Sequence, residues 1–423
     1  MLYTTTKCCR ICKSTNLESI FDLGNQALTG VFPKSTSENV PIGPVELVKC
    51  SETKGGCGLV QLKQSYSPDA MYGSNYGYRS GLNQSMINHL KKRAQLAMEI
   101  AKPEKGDVIL DIGSNDSTSL RNYSSDLKLI GMDPSGTKFL KYYPEHVKLI
   151  PDFFNAANFR KTLHNEKAKI VTSIAMFYDL EDPIQFMKEV HEILHDDGIW
   201  VFEQSYLPTM LEMNAYDTVC HEHISYYAFK QIKWMADRSD FKIIDVELND
   251  INGGSFCITV AKKGAKHAEN KKRIDELIKS EEELKLSTMI PYQEFLIRVE
   301  NHKKELNEFI KTETAKGKKI YGYGASTKGN VILQYCNITK NDIKGIAEVN
   351  EDKFGAFTPG TLIPIESEST IKSLNPDYLI VLPWHFKAGI IKREASYINN
   401  GGKFVFPLPK LEIVDKNVLQ NVA

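Results

Sequence analysis

The feature that most constrains the fold is a pair of apolar strands, the first of which runs into a turn of small residues. The first strand begins at Val108 and leads through Asp111 into Gly113, and the second ends in an acid, Asp133. Asp133 follows Asp111 by 22 residues, which places a carboxylate at the tip of strand two, where it can accept hydrogen bonds from a ribose diol. Further apolar strands, separated mostly by helical segments, predict a parallel, doubly wound α/β sheet with ligands at the strand ends. These strands cover residues 147–151, 170–176, 199–203, 243–247 and 256–261.

The turn after the first strand is not a dinucleotide fingerprint. G-x-G-x-x-G suits a ligand whose pyrophosphate docks at a helix N-terminus. Here a single glycine is followed by Ser114, Asn115 and Asp116, which suit a ligand without a phosphate at this point. Asp-x-Gly followed by an acidic end of strand two is the pattern of S-adenosylmethionine-dependent methyltransferases. A nicotinamide-binding domain is the competing interpretation.

Four cysteines near the N-terminus have the spacing of a metal site. Cys9 and Cys12 form a C-x2-C pair, and Cys50 and Cys57 supply a second, wider pair. In a reducing compartment this clustering indicates metal rather than disulfides. Because four thiolates close a tetrahedral site, we predict a structural zinc bound by these four cysteines, with unliganded buried thiols as the alternative. Cys8 is a fifth thiol, either a bystander or a competitor of Cys9 for the metal.

The charge and apolar content of the sequence limit which kinds of binding partner we expect. The formal net charge is zero, so bulk charge favours neither nucleic acid nor an anionic membrane as a partner. No apolar run is long enough to span a bilayer, and the first residues lack the apolar core of a signal peptide. We therefore expect a cytoplasmic protein, a monomer or small homo-oligomer, with two or three domains in its 423 residues.

Residues 216–227 concentrate chemistry-bearing side chains: two histidines, two carboxylates and three phenols. His221, Glu222 and His223 could perform base chemistry, bind a metal, or lie in a core as satisfied histidines. Two further features are ambiguous in the same way. A loop at residues 72–80, rich in tyrosine and glycine, either lines a site or packs, and Glu203 at a strand end either belongs to a site or faces solvent.

The last third begins with a charged connector. Apolar residues between Phe295 and Ile310 recur at helical spacing and predict a long amphipathic helix that packs between domains. A second glycine turn then starts near Gly322, with Lys328 close to the following helix. We interpret this smaller α/β domain as the binding site for the diphosphate or sugar of a sugar nucleotide. The alternative is a purely structural Rossmann-like half.

Several motifs together resemble one family, the three-domain sugar C-methyltransferases that act on nucleotide-linked deoxy-keto-sugars in antibiotic and surface-polysaccharide pathways. The resemblance spans nearly the whole chain and lies in the order of the motifs. It implies a class I methyltransferase Rossmann-like sheet with an N-terminal zinc-binding module and a C-terminal Rossmann-like α/β domain. The motifs are residues 57–61, 111–116, 221–227, 252–255, 322–330, 358–361 and 382–386. The expected domains are 1–70 (zinc module), 71–263 (methyltransferase), 264–316 (helical connector) and 317–423 (C-terminal domain).

The resemblance implies C-methylation next to a sugar ketone, with S-adenosylmethionine as the methyl donor. A base removes the proton alpha to the carbonyl, and the resulting enolate attacks the methyl group. Such a weakly acidic proton leaves only if the developing oxyanion is stabilised. On the family pattern the base is His223, assisted by His221, Glu222 and a tyrosine of the loop, Tyr76 or Tyr78. The implied cofactor-binding residues are Asp111, Gly113, Ser114, Asn115, Asp133, Asp152 and Met176, and the implied substrate-binding residues are Glu203, Tyr227, Gly324, Lys328 and Asn330.

Three positions depart from the family pattern. Cys220 stands where a tyrosine is expected, Ser117 replaces an expected glycine in the cofactor loop, and the end of strand four lacks an expected histidine, for which Tyr178 could supply the donor. These departures keep alternatives open. The scaffold could methylate oxygen or nitrogen, or epimerise its substrate through an enolate. It could also be an inactive zinc-containing binding protein.

Overall fold

The computed structural model describes residues 2–67, 71, 78–164 and 166–420 of the chain. Within these residues the strands form four sheets, of two, four, seven and six strands. The strands are β1 (Tyr3–Thr5), β2 (Leu17–Ala27), β3 (Ile42–Cys50), β4 (Val60–Leu62), β5 (Gln64–Tyr66), β6 (Val108–Ile112), β7 (Lys128–Met132), β8 (Val147–Ile150), β9 (Ala168–Ile174), β10 (Leu194–Ser205), β11 (Ser225–Tyr226), β12 (Phe241–Asn249), β13 (Ser255–Lys262), β14 (Ile320–Tyr323), β15 (Ile346–Glu348), β16 (Ile365–Ser367), β17 (Tyr378–Val381), β18 (Phe404–Phe406) and β19 (Glu412–Val414).

The helices follow their apolar spacing and their caps. The first described helix begins after Asn83, whose side chain accepts a hydrogen bond from the backbone N–H of Ser85, and it ends at Lys102, which has a left-handed conformation, just before Pro103. The helices are α1 (Gln84–Ala101), α2 (Ala156–Leu163), α3 (Pro183–Ile193), α4 (Leu207–Glu212), α5 (Phe229–Arg238), α6 (Lys271–Glu283), α7 (Ile290–Ala315), α8 (Thr327–Tyr335), α9 (Glu368–Ser373), α10 (Lys387–Arg393), α11 (Ala395–Asn399) and α12 (Lys416–Gln420).

The seven-stranded sheet carries the predicted cofactor turn. Its strand order is β12-β13-β10-β9-β6-β7-β8, and the strands from β10 to β8 are parallel. Only β13 is antiparallel to both of its neighbours. The order reverses between β6 and β9, which is the switch point where an open α/β sheet binds its ligand. This topology confirms the predicted Rossmann-like methyltransferase sheet.

The four-stranded sheet, in the order β11-β4-β3-β2, joins the N-terminal module to the histidine segment. Its edge strand β11 comes from far along the chain and pairs antiparallel with β4, with Ser225 opposite Gln61 and Tyr226 opposite Val60. The backbone N–H of Leu62 also donates to the carbonyl of Ile224 at 2.9 Å. The N-terminal module therefore holds the chain immediately after His223.

The six-stranded sheet forms the predicted C-terminal α/β domain. The order is β16-β15-β14-β17-β18-β19, and all neighbours except β18 and β19 are parallel. The chain turns sharply after β14 at Gly324, which has a φ of +79°, and a Cβ there would lie 2.7 Å from the ring of Pro383. Glycine at this position thus permits both the turn and the close approach of the next loop.

The predicted amphipathic helix is α7, and its apolar face is shared between two parts of the molecule. Tyr292, Phe295, Val299, Leu306 and Ile310 are buried along it. They belong to one apolar cluster with residues of the N-terminal sheet and of the C-terminal sheet. The positions of the predicted domain boundaries stay predictions. Across the part of the chain that the structure describes, no helix has the length and apolar character needed to cross a bilayer.

Candidate active site

The four predicted zinc ligands lie together at the edge of the N-terminal module. The Sγ atoms of Cys9 and Cys57 are 3.5 Å apart, as are those of Cys12 and Cys50, and all four lie within 4.8 Å of one another. Tetrahedral zinc with Zn–S bonds of about 2.3 Å separates its sulfurs by roughly 3.8 Å. The cysteines therefore fit a closed, structural zinc site. Cys8, which is part-buried, is not a member of this cluster.

The cofactor turn brings several predicted residues to the switch point of the large sheet. Gly113 has a φ of +74°, and a Cβ built on it would lie 3.4 Å from the side chain of Met176. Asp133 accepts hydrogen bonds from the backbone N–H groups of Asn115, at 2.8 Å, and Ser135, at 2.7 Å. The Ser135 hydroxyl also donates to Oδ1 of Asp133, at 2.6 Å, so it is Oδ2, which accepts only from Asn115, that has a second lone pair for a ribose hydroxyl. These groups fit a nucleoside-containing cofactor.

Three further predicted cofactor residues have mainly local partners. Asp111 is buried and accepts a hydrogen bond from the hydroxyl of Thr172, so it links β6 to β9, and burial raises its pKa to about 7. The Ser114 hydroxyl lies 2.8 Å from that of Tyr143. Asp152 is exposed after β8 and accepts from the side-chain amide of Asn158. Asp111 therefore shapes the turn, whereas Asp152 stays open to a ligand.

The two histidines of the 221–223 turn face different parts of the molecule. His221 is buried and packs edge-on against the ring of Tyr66, with centroids 4.6 Å apart. His223 packs against Tyr178, at 4.4 Å between centroids. Only His223 lines the pocket between the large sheet and the 207–227 segment. The pocket residues are Tyr178, Ser205, Tyr206, Leu207, Met210, Thr218, His223, Ser225 and Tyr226.

The hydrogen bond of His223 defines its chemical state. Its Nδ1 lies 3.1 Å from the carbonyl oxygen of Thr218, which can only accept, so Nδ1 carries the proton and Nε2 keeps a lone pair. Burial, together with the positive charge of Lys328, lowers the pKa of His223 to about 3. His223 is therefore a neutral imidazole at neutral pH. Burial also lowers the pKa of His221 to about 4 and raises that of Glu222 to about 7.

Glu203 lies in a buried polar cluster that the sequence did not reveal. Its carboxylate lies 2.6 Å from Nε2 of His89 and accepts from the side-chain amide of Asn249 at 2.9 Å. Glu203 is 2% exposed, which excludes the solvent-facing alternative. His89 sits on α1 one position before the buried Leu90, so a histidine beside the apolar stripe of this helix was the available signal.

The C-terminal domain reaches the same region through Lys328. Its Nζ donates to the carbonyl of Asn252 at 2.8 Å, and its charge interacts with buried Asp217 and with His223. Trp384 donates from its indole N–H to Asp217 at 2.8 Å. Asn330, in contrast, is fully buried and donates to the carbonyl of Thr29. The charge of Lys328 therefore acts on the candidate base, while Asn330 joins the C-terminal and N-terminal modules.

The remaining candidates are spread more widely. The ring of Tyr227 is fully buried against Phe177, with centroids 5.6 Å apart, and so belongs to the methyltransferase core. Tyr78 is half-exposed, and its carbonyl accepts a hydrogen bond from the side chain of Asn115, which brings this end of the tyrosine loop to the cofactor turn. Tyr76 lies outside the described residues.

Three family models match consecutive parts of the chain. One for a zinc binding domain matches residues 9–72, one described as "Methyltransferase domain" matches residues 83–246, and one described as "C-methyltransferase C-terminal domain" matches residues 250–409. The chain is also similar to the C-methyltransferase NovU of Streptomyces niveus, with 27% identity over 411 residues, 96% of each protein.

Solved structures resemble the chain over less than half of its length. The plantazolicin methyltransferase BpumL in complex with SAH has a TM-score of 0.33 and 12% identity, covering 41% of this chain and 82% of that chain. An S-adenosylmethionine-dependent methyltransferase from Clostridium acetobutylicum has a TM-score of 0.32 and 10% identity, covering 42% and 92%. The three matched domains in order, the four-cysteine cluster and the end-to-end similarity to NovU show an S-adenosylmethionine-dependent methyltransferase with the three-domain organisation of the C-methyltransferases.

Proposed function

We propose that the enzyme methylates the carbon next to the ketone of a nucleotide-diphosphate deoxy-keto-sugar, with His223 as the general base. The observation that carries this proposal is the state of His223. It lines the pocket, its Nδ1 is bound to the Thr218 carbonyl, and its Nε2 has a free lone pair. A base held in this way can accept a proton without first losing one.

The neighbours of His223 support the chemistry that an enolate requires. As the alpha proton moves to Nε2 of His223, the electrons of the C–H bond become the enolate, whose oxygen needs a positive or hydrogen-bonding partner. The ring of Tyr178 contacts His223, and the positive charge of Lys328 acts on His223. When bound, S-adenosylmethionine supplies an electrophilic methyl group, which the enolate carbon accepts while the bonding electrons stay on sulfur. Tyr178 thereby offers the donor expected at the end of strand four.

A nucleotide-linked substrate is supported by a similarity between the two glycine turns. In the large sheet, Asp133 at the end of β7 accepts from the N–H of Asn115 in the turn. In the C-terminal sheet, Glu348 at the end of β15 accepts from the N–H of Ala325 at 2.8 Å. An acid in this position can bind the hydroxyls of a ribose. The C-terminal domain would thus bind the nucleotide, and the sugar would extend towards His223.

Methyl-labelled S-adenosylmethionine and a panel of nucleotide-diphosphate keto-sugars test the proposal. We expect the label in a new C–CH3 group, as shown by the carbon spectrum of the product. Label on oxygen or nitrogen would contradict C-methylation, as would epimerisation without methyl transfer. Glu348→Gln is the matched test of the nucleotide site. We expect it to raise KM for the nucleotide-linked substrate and to leave the affinity for S-adenosylmethionine unchanged.

A further inference from the structure

Cys220, Glu222 and His223 bring three different metal-ligating atoms together on one turn. The Sγ of Cys220, a carboxylate oxygen of Glu222 and a ring nitrogen of His223 all lie within 4.8 Å of one another. The turn is closed by a hydrogen bond from the N–H of His223 to the carbonyl of Cys220 at 3.2 Å. Sulfur, oxygen and imidazole nitrogen are the ligand types that zinc takes in proteins. The group shares no residue with the four-cysteine site.

The orientation of His223 is that of a metal-binding histidine. Such a histidine usually donates its other ring N–H to a carboxylate or a backbone carbonyl, which fixes the tautomer and the direction of the ring. Here Nδ1 donates to the Thr218 carbonyl at 3.1 Å. Nε2 is therefore the atom that presents a lone pair. The hydrogen bond from Nδ1 to Thr218 is an observation separate from the closeness of Cys220 and Glu222 to His223, and both point to a metal site.

The carboxylate of Glu222 lies close to the backbone at Gly30. A Cβ at Gly30 would lie 2.5 Å from a carboxylate oxygen of Glu222. Within the described parts of the chain, no hydrogen bond or ion pair is seen at this part-buried carboxylate. Cys220 beside it is 1% exposed. A divalent cation would neutralise a thiolate and a carboxylate that otherwise have little solvent to stabilise them.

We propose that Cys220, Glu222 and His223 form a second metal site, for zinc or another borderline divalent cation. Three protein ligands leave a fourth position for water or another ligand, and one of the three, His223, also lines the pocket. Binding requires that the Cys220 thiol lose its proton to solvent, so that the sulfur binds as thiolate. Cys220, which stands where a tyrosine is expected, would thus serve as a metal ligand.

Occupancy of this site would have a consequence for turnover, which rests on the proposed function of His223. The metal would take the Nε2 lone pair that His223 needs for proton abstraction. Metal at this turn is therefore inhibitory rather than catalytic. The existence of the site does not depend on that role, so the two claims are tested separately.

The first experiment measures binding without substrate. Enzyme with its four-cysteine site filled with zinc is titrated with Co²⁺, and thiolate-to-cobalt absorption and total metal content are followed. We expect one further metal ion per chain in the wild type and none in Cys220→Ala. Glu222→Gln should weaken binding by at least about 10- to 100-fold, the range for loss of even a supporting contact. Cys257→Ala, which removes another buried thiol, is the control and should bind as the wild type does.

Retention of the further ion by Cys220→Ala, or its absence from the wild type while the zinc of the four-cysteine site stays bound, would overturn the proposal. The second experiment adds Zn²⁺ to the methyl-transfer assay. We expect a loss of about 10²-fold at saturation, the scale of removing a general base, and reversal by a chelator. Cobalt binding without any inhibition would leave the metal site standing and would instead contradict the role of His223 as the base.

Discussion

At the scale of single residues, two histidines that are two positions apart have different surroundings. His221 packs into the N-terminal module against Tyr66, whereas His223 lines the pocket beside Tyr178. In an extended segment, residues two positions apart would share one face. The structure has a tight turn at this point instead, so the side chains separate. Only one of the two is therefore positioned to act as a base.

Replacement of His223 by asparagine tests this division. The variant keeps a side chain that can donate to the Thr218 carbonyl but has no basic nitrogen. We expect kcat to fall by about 10²- to 10⁴-fold, the usual contribution of a general base, with an unchanged affinity for S-adenosylmethionine by calorimetry. His302→Asn replaces a buried histidine outside the pocket and should keep kcat near the wild-type value. Near-normal turnover by His223→Asn would refute the assignment.

The lowered pKa of the buried His302 predicts how the stability of the folded protein changes with pH. Burial lowers the pKa of His302 to about 4, below the value of about 6.5 in an unfolded chain. Between these values the unfolded state binds more protons, so stability is full above pH 6.5 and is lost as the pH falls towards 4. We expect His302→Gln to lose less stability than the wild type over this window, by up to about 3 kcal/mol. Chemical denaturation at each pH measures this difference, and parallel curves would contradict it.

At the scale of elements, strand β11 couples the zinc module to the active site. It begins two residues after His223 and pairs with β4, whose module contains all four cysteines. The cofactor turn, in contrast, belongs to the separate seven-stranded sheet. A structural metal can therefore influence catalysis through the position of the base without any contact with the cofactor.

Removal of one zinc ligand should separate these two effects. We expect Cys12→Ser to lower zinc content and thermal stability and to reduce kcat by about tenfold or more, because the support of a positioned group is lost. The affinity for S-adenosylmethionine should stay near the wild-type value. The control is Cys8→Ser, which lies outside the cluster and should keep both zinc and activity. If Cys12→Ser lost zinc but kept full turnover, the coupling through β11 would be wrong.

At the scale of the whole molecule, the C-terminal domain contributes charge to the candidate active site. Lys328 on α8 donates to the carbonyl of Asn252 and its charge acts on His223, while Trp384 donates to Asp217. One apolar cluster runs from the N-terminal sheet through α7 to the C-terminal sheet. The N-terminal and C-terminal sheets therefore share an apolar core, and charge from the C-terminal domain acts on the histidine that lines the pocket.

Replacement of Lys328 by methionine tests this long-range contribution. We expect kcat/KM to fall by about 10²-fold, as for loss of one group that stabilises an oxyanion. Because the charge of Lys328 lowers the pKa of His223, its removal should move the acid limb of kcat/KM to higher pH. Lys353→Met, a lysine that faces Glu348 instead, should leave that limb in place. If the acid limb of the kcat/KM profile stays at the same pH in Lys328→Met, the charge of Lys328 does not act on His223.

Much of the fold and part of the site were predictable. The strand at Val108, the acid at Asp133 and the cysteine pairs are local patterns, and the sheets and the cysteine cluster that they predict are present. The partner of Glu203 was not predictable, because His89 is 114 residues away and its only signal is one polar position beside an apolar stripe. Lys328 was predicted to bind the substrate, a role that stays a prediction, but no local pattern showed that its charge acts on His223.

The sequence by itself determined the elements, their order and the residue types available at each strand end. The spacing of apolar residues along the chain follows the local backbone, with a period near two in strands and 3.6 in helices. This spacing can therefore be interpreted without knowing how the elements pack. Only the tertiary structure decided that His221 and His223 face opposite ways, that β11 joins the zinc module, and that Cys220, Glu222 and His223 meet. These contacts depend on how remote elements pack and on which face each turn presents, and no local pattern encodes that choice.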